Sequence, residues 1–262
     1  MLLTIYLGFV GLVIGSAINA IVWRLYVGRK WSKGRSMCPE CKHVLAPKDL
    51  IPIVSWLTLG GKCRYCRAPI KDSPIVEAIT AVLFALSMYV LAPVTPIGYI
   101  VLGLWLLLLT LLIILAVYDK RWMLLPDKIM LPAIGVAGVL VLVRALSVHS
   151  WLAARGPLLA ALLFGGMFFA IVAISKGRAM GGGDIKFVFL MGLVLGLRGT
   201  LLGLLIAFDV AAVVAVALIV LKRRGRRDQI AFGPFLAGAT VATYLYGAHV
   251  IHWYLTYNGL AN

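Results

Sequence analysis

Two aspartates stand where a carboxylate needs a reason. Asp119 closes an apolar run, Ile113-Ile114-Leu115-Ala116-Val117-Tyr118-Asp119. Asp184 follows three glycines and opens another, in Met180-Gly181-Gly182-Gly183-Asp184-Ile185-Lys186. Only nine of the 262 residues are acidic, so an acid at the edge of an apolar run is not background. An ionisable group at a membrane span is a functional hypothesis by default. Two such groups suggest a pair that shares one proton. One carboxylate could then take a proton from water while the other protonates or hydrogen-bonds a carbonyl oxygen. Each also has a plainer reading. Asp184 can open a helix, where the dipole favours negative charge, and Asp127 after Pro126 can do the same. Gly181, Gly182 and Gly183 favour the sharper reading for Asp184, because they let a second backbone approach closely. Irregular backbone at membrane depth is tolerated only where it is buried or lines a wet cavity.

Four cysteines form a second chemical cluster. Cys38-Pro39-Glu40-Cys41 and Cys63-Arg64-Tyr65-Cys66 make a C-x2-C-x21-C-x2-C pattern. Paired C-x2-C turns can each give two thiolates to one zinc tetrahedron. Two disulfides or four free thiols are the alternatives. Surrounding Lys and Arg favour thiolate, hence metal. Four sulfurs leave no open position for substrate, so such a site is structural. His43 reads as a surface residue rather than a further ligand.

These residues are carried by a chain of membrane composition. It is 63% hydrophobic and 13% charged, with mean hydropathy +1.03. Apolar runs of about 17–25 residues are needed to span a bilayer as helices. Eight runs are expected, at about 2–26, 74–92, 98–118, 126–145, 157–175, 185–197, 200–221 and 229–256. The first lacks a basic lead-in and a small-residue cleavage site, so it reads as a retained span. Ser73 and Pro74 read as the start of the second. The expected fold is an all-α polytopic membrane protein with about eight transmembrane helices and a small cytoplasmic four-cysteine domain. Its parts are a first helix over 1–27, a zinc-binding domain over 28–72 and a membrane domain over 73–262. A 45-residue domain rarely holds itself by apolar burial alone, so a metal staple is expected. No internal repeat is evident.

The net charge of +16 is not spread evenly. With alternate loops assigned to alternate sides, 22 Lys and Arg fall on one side and three on the other. That asymmetry places residues 28–72, Asp119 and Asp184 together on the cytoplasmic side. There thiols stay reduced. The Lys222-Arg223-Arg224-Gly225-Arg226-Arg227 run is then an anchor beside anionic lipid, and nucleic-acid binding is excluded. Asn19 reads as a helix–helix hydrogen-bonding residue and Arg24 as an interface anchor. Asp209, in mid-span, is expected to be protonated or paired inside the bundle.

Taken together, the motifs resemble those of the type IV prepilin peptidases, membrane aspartic proteases of the GxGD class. Ala179-Met180-Gly181-Gly182-Gly183-Asp184-Ile185-Lys186 resembles the M-G-x-G-D-x-K motif. Asp119 with Pro126-Asp127 and Pro132 is similar to the first aspartate box. Gly15-Ser16-Ala17-Ile18-Asn19 with Arg24 is similar to the amino-terminal motif. The cysteine pairs flanking Ile51-Pro52-Ile53-Val54-Ser55-Trp56 resemble the cytoplasmic cysteine domain. Ile230-Ala231-Phe232-Gly233-Pro234-Phe235 resembles the late F-G-P-F motif. A Tyr common in the family before the glutamate motif is absent from Asp72-Ser73-Pro74-Ile75-Val76-Glu77.

The resemblance implies that Asp119 and Asp184 are the catalytic pair. Gly181, Gly182, Gly183, Lys186, Asp127 and Glu77 would support substrate or loop. Cys38, Cys41, Cys63 and Cys66 would hold structural zinc. It implies cleavage of a basic leader from prepilin or pseudopilin precursors at the bacterial inner membrane. It further implies N-methylation of the new terminus from S-adenosylmethionine, whose binding residues the motifs do not indicate. An ion-coupled transporter is the alternative, although transporter sites favour the midplane and inverted repeats.

Overall fold

The computed structural model describes residues 1–30, 34–70, 74–178, 180–222, 225 and 228–259. Ser73, Ala179 and most of the basic run at 222–227 lie outside these. The chain is all-helical and forms two compact units, Met1–Pro93 and Val94–Asn262.

In the first unit, α1 (Leu2–Tyr26) packs along α3 (Ile75–Leu91). The close approach depends on missing side chains. A Cβ on Gly11 would come within 2.8 Å of the Ala81 Cα, and one on Gly15 within 2.6 Å of the Glu77 Cα. These two glycines are four residues apart, the spacing that lets apolar helices touch backbone to backbone. Gly15 of the amino-terminal motif is thus a packing residue against the helix that carries Glu77.

The cysteine segment contributes the only β-bridges among the described residues, Met37 with Val44 and Lys62 with Pro69. They close two copies of one knuckle. Cys38 N–H donates to the His43 carbonyl, Lys42 N–H to that of Cys38, and Leu45 N–H to that of Ser36. The same three bonds recur from Cys63 to Ala68, Arg67 to Cys63 and Ile70 to Gly61. Lys42 and Arg67 both take φ 58°, in the left-handed region. The segment therefore does contain a short structural repeat, contrary to the sequence expectation. Its sequence trace is only Cys-x2-Cys followed by a basic residue. Between the knuckles lie a 3-10 turn (Pro47–Leu50) and the short α2 (Val54–Thr58).

The second unit contains α4 (Pro96–Trp122), α5 (Asp127–Ser147), α6 (Leu152–Ile174), α7 (Gly182–Val220) and α8 (Gly233–Tyr257). The α4 helix packs on α5 and α8, and α7 packs on α5, α6 and α8. Thr95 caps α4 by accepting the Gly98 N–H at 3.1 Å, with Pro96 in its first turn. Gly196 breaks α7, with φ 68° and ψ −176°, a backbone open to glycine alone. Thr200 Oγ1 donates to the Gly196 carbonyl at 2.6 Å, and a Cβ on Gly203 would lie 3.0 Å from the Met191 Cε. The chain folds back on itself there. The sixth and seventh expected spans are the two halves of α7, giving eight apolar helical segments.

Among the described residues, five helices are long and apolar enough to cross a membrane, while α3, at 17 residues, is shorter. The protein is a multi-pass membrane protein. The tightest seam lies between α6 and α7, where a Cβ on Gly192 would sit 2.4 Å from the Ala161 backbone. Gly192→Ala must push two backbones apart. It should destabilise the second unit by about 1–3 kcal/mol, read from thermal unfolding in detergent.

Candidate active site

The helix ends of the second unit converge on the two aspartates. Asp119 stands in the last turn of α4, which ends at Trp122 because Met123 adopts φ 53° and its N–H closes onto the Asp119 carbonyl at 2.7 Å. Asp119 is itself only 5% exposed. Its Oδ2 accepts the backbone N–H of Gly233 at 2.8 Å. Gly233 is the first residue of α8, so that N–H has no partner within its own helix. Pro234 follows, where a missing N–H costs nothing. A side chain at 233 is excluded, since its Cβ would lie 2.8 Å from Asp119 Oδ2.

Asp184 lies in the first turn of α7, half-buried, with Gly181 as the N-cap. The Gly181 backbone hydrogen-bonds to its carboxylate, and the Asp119 charge acts on it electrostatically. Both carboxylates therefore stand at helix N-termini, where exposed N–H groups and the dipole favour negative charge. Asp184 takes the plain helix-start position, and the charge of Asp119 reaches it there.

The glycine triplet divides its duties. Gly181 caps α7, and Gly182 has open space where a side chain would stand. Gly183 lies against the linker after α4, since its Cβ would meet Leu125 Cβ at 2.8 Å. All three lack the left-handed backbone that only glycine favours, so close approach is the demonstrable need at Gly183.

Asp127 is placed elsewhere. Its Oδ1 accepts the Lys186 ammonium at 2.6 Å, and both side chains are largely exposed. This ion pair ties the start of α5 to the first turns of α7. Two of the expected support residues thus meet each other, outside the Asp119–Asp184 pair.

Glu77 belongs to the first unit and is buried. Its carboxylate accepts the Ile53 N–H. Ile53 holds φ 59°, a costly conformation for a β-branched residue, so the contact fixes a strained turn. Asn19 is buried too, but its Oδ1 has no hydrogen-bond partner, contrary to the expected helix–helix bond. Arg24 Nη2 donates to the Gly34 carbonyl at 2.9 Å. Asp209 lies exposed on the surface of α7, with exposed Phe208 and Val210 beside it, not inside the bundle as expected.

The four thiols come together, with Cys38, Cys41, Cys63 and Cys66 sulfurs all within 4.8 Å of one another. Cys38 Sγ and Cys66 Sγ are 3.8 Å apart. That matches the edge of a tetrahedron with Zn–S bonds of about 2.3 Å, roughly 3.8 Å. The Cys66 and Tyr65 N–H groups donate to Cys63, and hold its thiol at about 7 despite burial. Cys66 is pushed up to about 11; the Ala68 N–H favours its thiolate, but burial and three neighbouring sulfurs outweigh it. A cluster that forms its first thiolate easily and resists further charge is suited to a cation. His43 is exposed and lies tilted over Tyr65 at 3.7 Å between ring centroids, outside the cluster. Asp49 locks the second knuckle by accepting from Arg64 Nε at 2.7 Å and Tyr65 OH at 3.1 Å. The Arg64 guanidinium holds that carboxyl below the usual range.

Gly233 is the residue that sequence reasoning left out of the site. Its signal was present, as a Gly-Pro pair opening an apolar run, but not its target on α4.

The fold and site define a polytopic helical membrane protein with two acidic side chains at helix ends of one unit. Residues 9–91 match the model of the bacterial peptidase A24 N-terminal domain, and residues 106–217 that of the type IV leader peptidase family. A prepilin leader peptidase/N-methyltransferase of Aeromonas hydrophila is 32% identical, covering 94% of this chain and 91% of its own. One from Bacillus subtilis (strain 168) is 32% identical, covering 94% and 95%. One from Pseudomonas aeruginosa strain PAO1 is 30% identical, covering 95% and 92%. No solved structure matches at a significant level. The chain belongs to the type IV leader peptidase family.

Proposed function

We propose that this protein cleaves the leader from prepilin-type precursors with the Asp119–Asp184 pair and then N-methylates the exposed terminus. The carrying observation is that the Asp119 charge acts on Asp184 from the start of α8 to that of α7, in a family whose relatives are named for both activities. Two close carboxylates resist double ionisation, so the working state holds one proton between them. The ionised member takes a proton from water, and the resulting hydroxide attacks the scissile carbonyl. The protonated member hydrogen-bonds the carbonyl oxygen. Collapse expels the amine, which takes up a proton, and the pair returns to its starting state. Gly233 N–H holds Asp119 in place throughout.

The surplus of Lys and Arg on one set of loops supports a cytoplasmic location for the pair and the cysteine segment. In a bacterium the membrane is then the inner one. A precursor with a basic leader before an apolar helix would present its junction at that depth. Gly181 and Gly182 leave room for an extended backbone beside Asp184. The Asp127–Lys186 ion pair and Glu77 act as supports, the first of the α5–α7 contact and the second of the cysteine segment.

The donor set and the 3.8 Å sulfur spacing favour structural zinc on Cys38, Cys41, Cys63 and Cys66. Bound there, the metal would staple the two knuckles. Cys63→Ser should reduce bound zinc from one per chain to near zero, read by elemental analysis of purified protein. Zinc affinity should also fall as pH drops, because each thiol must lose its proton to bind.

S-adenosylmethionine would supply the methyl group. A shallow groove on α8, lined by His249, His252, Trp253 and Thr256, does not fit that cofactor's task. Its nearest lining residue, Ala248, is 15 residues beyond Gly233, roughly 22 Å along the helix. No step is assigned to it.

The test is to incubate purified protein with a prepilin-like precursor and S-adenosylmethionine and weigh the products. Loss of the leader plus a 14 Da gain, about one CH2, supports both activities. An uncut precursor overturns the proposal, and cleavage without the gain confines it to proteolysis.

A further inference from the structure

The cysteine segment leaves large apolar side chains uncovered on one face. Ile51, Val54 and Leu57 are 48%, 52% and 63% exposed. Val54 and Leu57, three residues apart, share a side of α2, and Ile51 is exposed in the turn before it. Trp56 lies between them in sequence but is turned inward, with its Nε1 buried and its ring against Gly61. The exposed face is therefore separate from the packing that holds the knuckles.

The depth of this face is set by one hydrogen bond. Ile53, within the same turn, donates its N–H to Glu77 in the first turn of α3. The α3 helix lies along α1, one of the membrane-spanning candidates. The apolar face is thus pinned to the end of the helix pair, at the level where the pair leaves the bilayer. The segment's chain neighbours carry positive charge, with exposed Lys48 before it and exposed Lys62 after it. Apolar side chains with basic flanks at that depth match an anionic bilayer surface.

We infer that Ile51, Val54 and Leu57 insert shallowly into the headgroup–acyl boundary of the bilayer that α1 spans, with Lys48 and Lys62 over lipid phosphates. Glu77 is then a tether that sets the height of the cysteine segment against the membrane. Its strained partner Ile53 is held because that turn directs the apolar face.

The test uses the full chain in vesicles of phosphatidylethanolamine and phosphatidylglycerol. A photoreactive p-benzoylphenylalanine replaces Leu57, Val54 or, as control, Glu40 on the exposed side of the first knuckle. Resistance of the four cysteines to alkylation reports that each variant is folded. After irradiation, mass spectrometry counts lipid adducts. Positions 54 and 57 should give at least about threefold more adduct than position 40, rising with the phosphatidylglycerol fraction. Equal yields at all three positions overturn the inference, as do adducts at 54 and 57 that run into residues 94–262. Cleavage of precursor is not used as a readout, so the result stands apart from the proposed enzymatic activity.

Discussion

Asp119→Asn and Asp184→Asn should each reduce leader cleavage by roughly 10³-fold, with the protein still inserted and its cysteine segment still metal-loaded. Asn is nearly isosteric with Asp, and its amide can neither take a proton from water nor share one with a second carboxylate. Asp119→Asn keeps an oxygen that can accept the Gly233 N–H, so the start of α8 is preserved. Asp184→Asn keeps a good residue in the first turn of α7, so loss of activity there cannot be assigned to a frayed helix. Asp127→Asn provides the contrast. It weakens an exposed ion pair with Lys186, worth about 1 kcal/mol or less, and should retain most activity. Steady-state cleavage of a precursor peptide by the three variants in parallel is the measurement. Full activity in either of the first two would remove the pair from the mechanism.

Gly233→Ala should lower kcat for cleavage by roughly 10²-fold while changing KM little. The added methyl has nowhere to go. Its three nearest neighbours are Asp119 Oδ2, Cγ and Cβ at 2.8, 3.1 and 3.2 Å. Asp119 is buried in the last turn of α4, so relief must come from rotating its carboxylate or displacing the first turn of α8. Either movement breaks the 2.8 Å hydrogen bond and misdirects the carboxylate relative to Asp184. Alanine favours the helix interior more than glycine does, so global stability should change far less than activity. A variant with intact thermal unfolding and reduced kcat separates this positioning role from a purely structural one. Equal falls in stability and activity would argue that Gly233 serves packing alone.

The chemistry was legible in the sequence because membranes make charge conspicuous. Asp119 and Asp184 stood out against apolar neighbours, and the four cysteines by their spacing. Hydropathy divided α7 into two spans near Gly196, although the backbone break itself has no hydropathic signal. Charge asymmetry assigned each loop an expected side. Where partners come from distant segments, pattern reasoning had no purchase. Asp127 and Asp119 look alike as edge carboxylates, and only packing sends one to Lys186 and the other to Gly233. Asp209 looked like a bundle residue because nothing local records which way a helix is turned about its own axis. Glu77 was expected to support substrate or loop, but nothing local names its partner, the Ile53 N–H 24 residues earlier.

By itself, the sequence determined the helical membrane architecture, the acids available for catalysis and the thiols available for metal. Each of those follows from local composition or fixed spacing. Tertiary structure alone decided which acid faces which partner, and that a glycine at the head of α8 supplies Asp119 with its hydrogen bond. The reason is that a helix end leaves its N–H groups unpaired, and only the packing of α4 against α8 determines which side chain receives them.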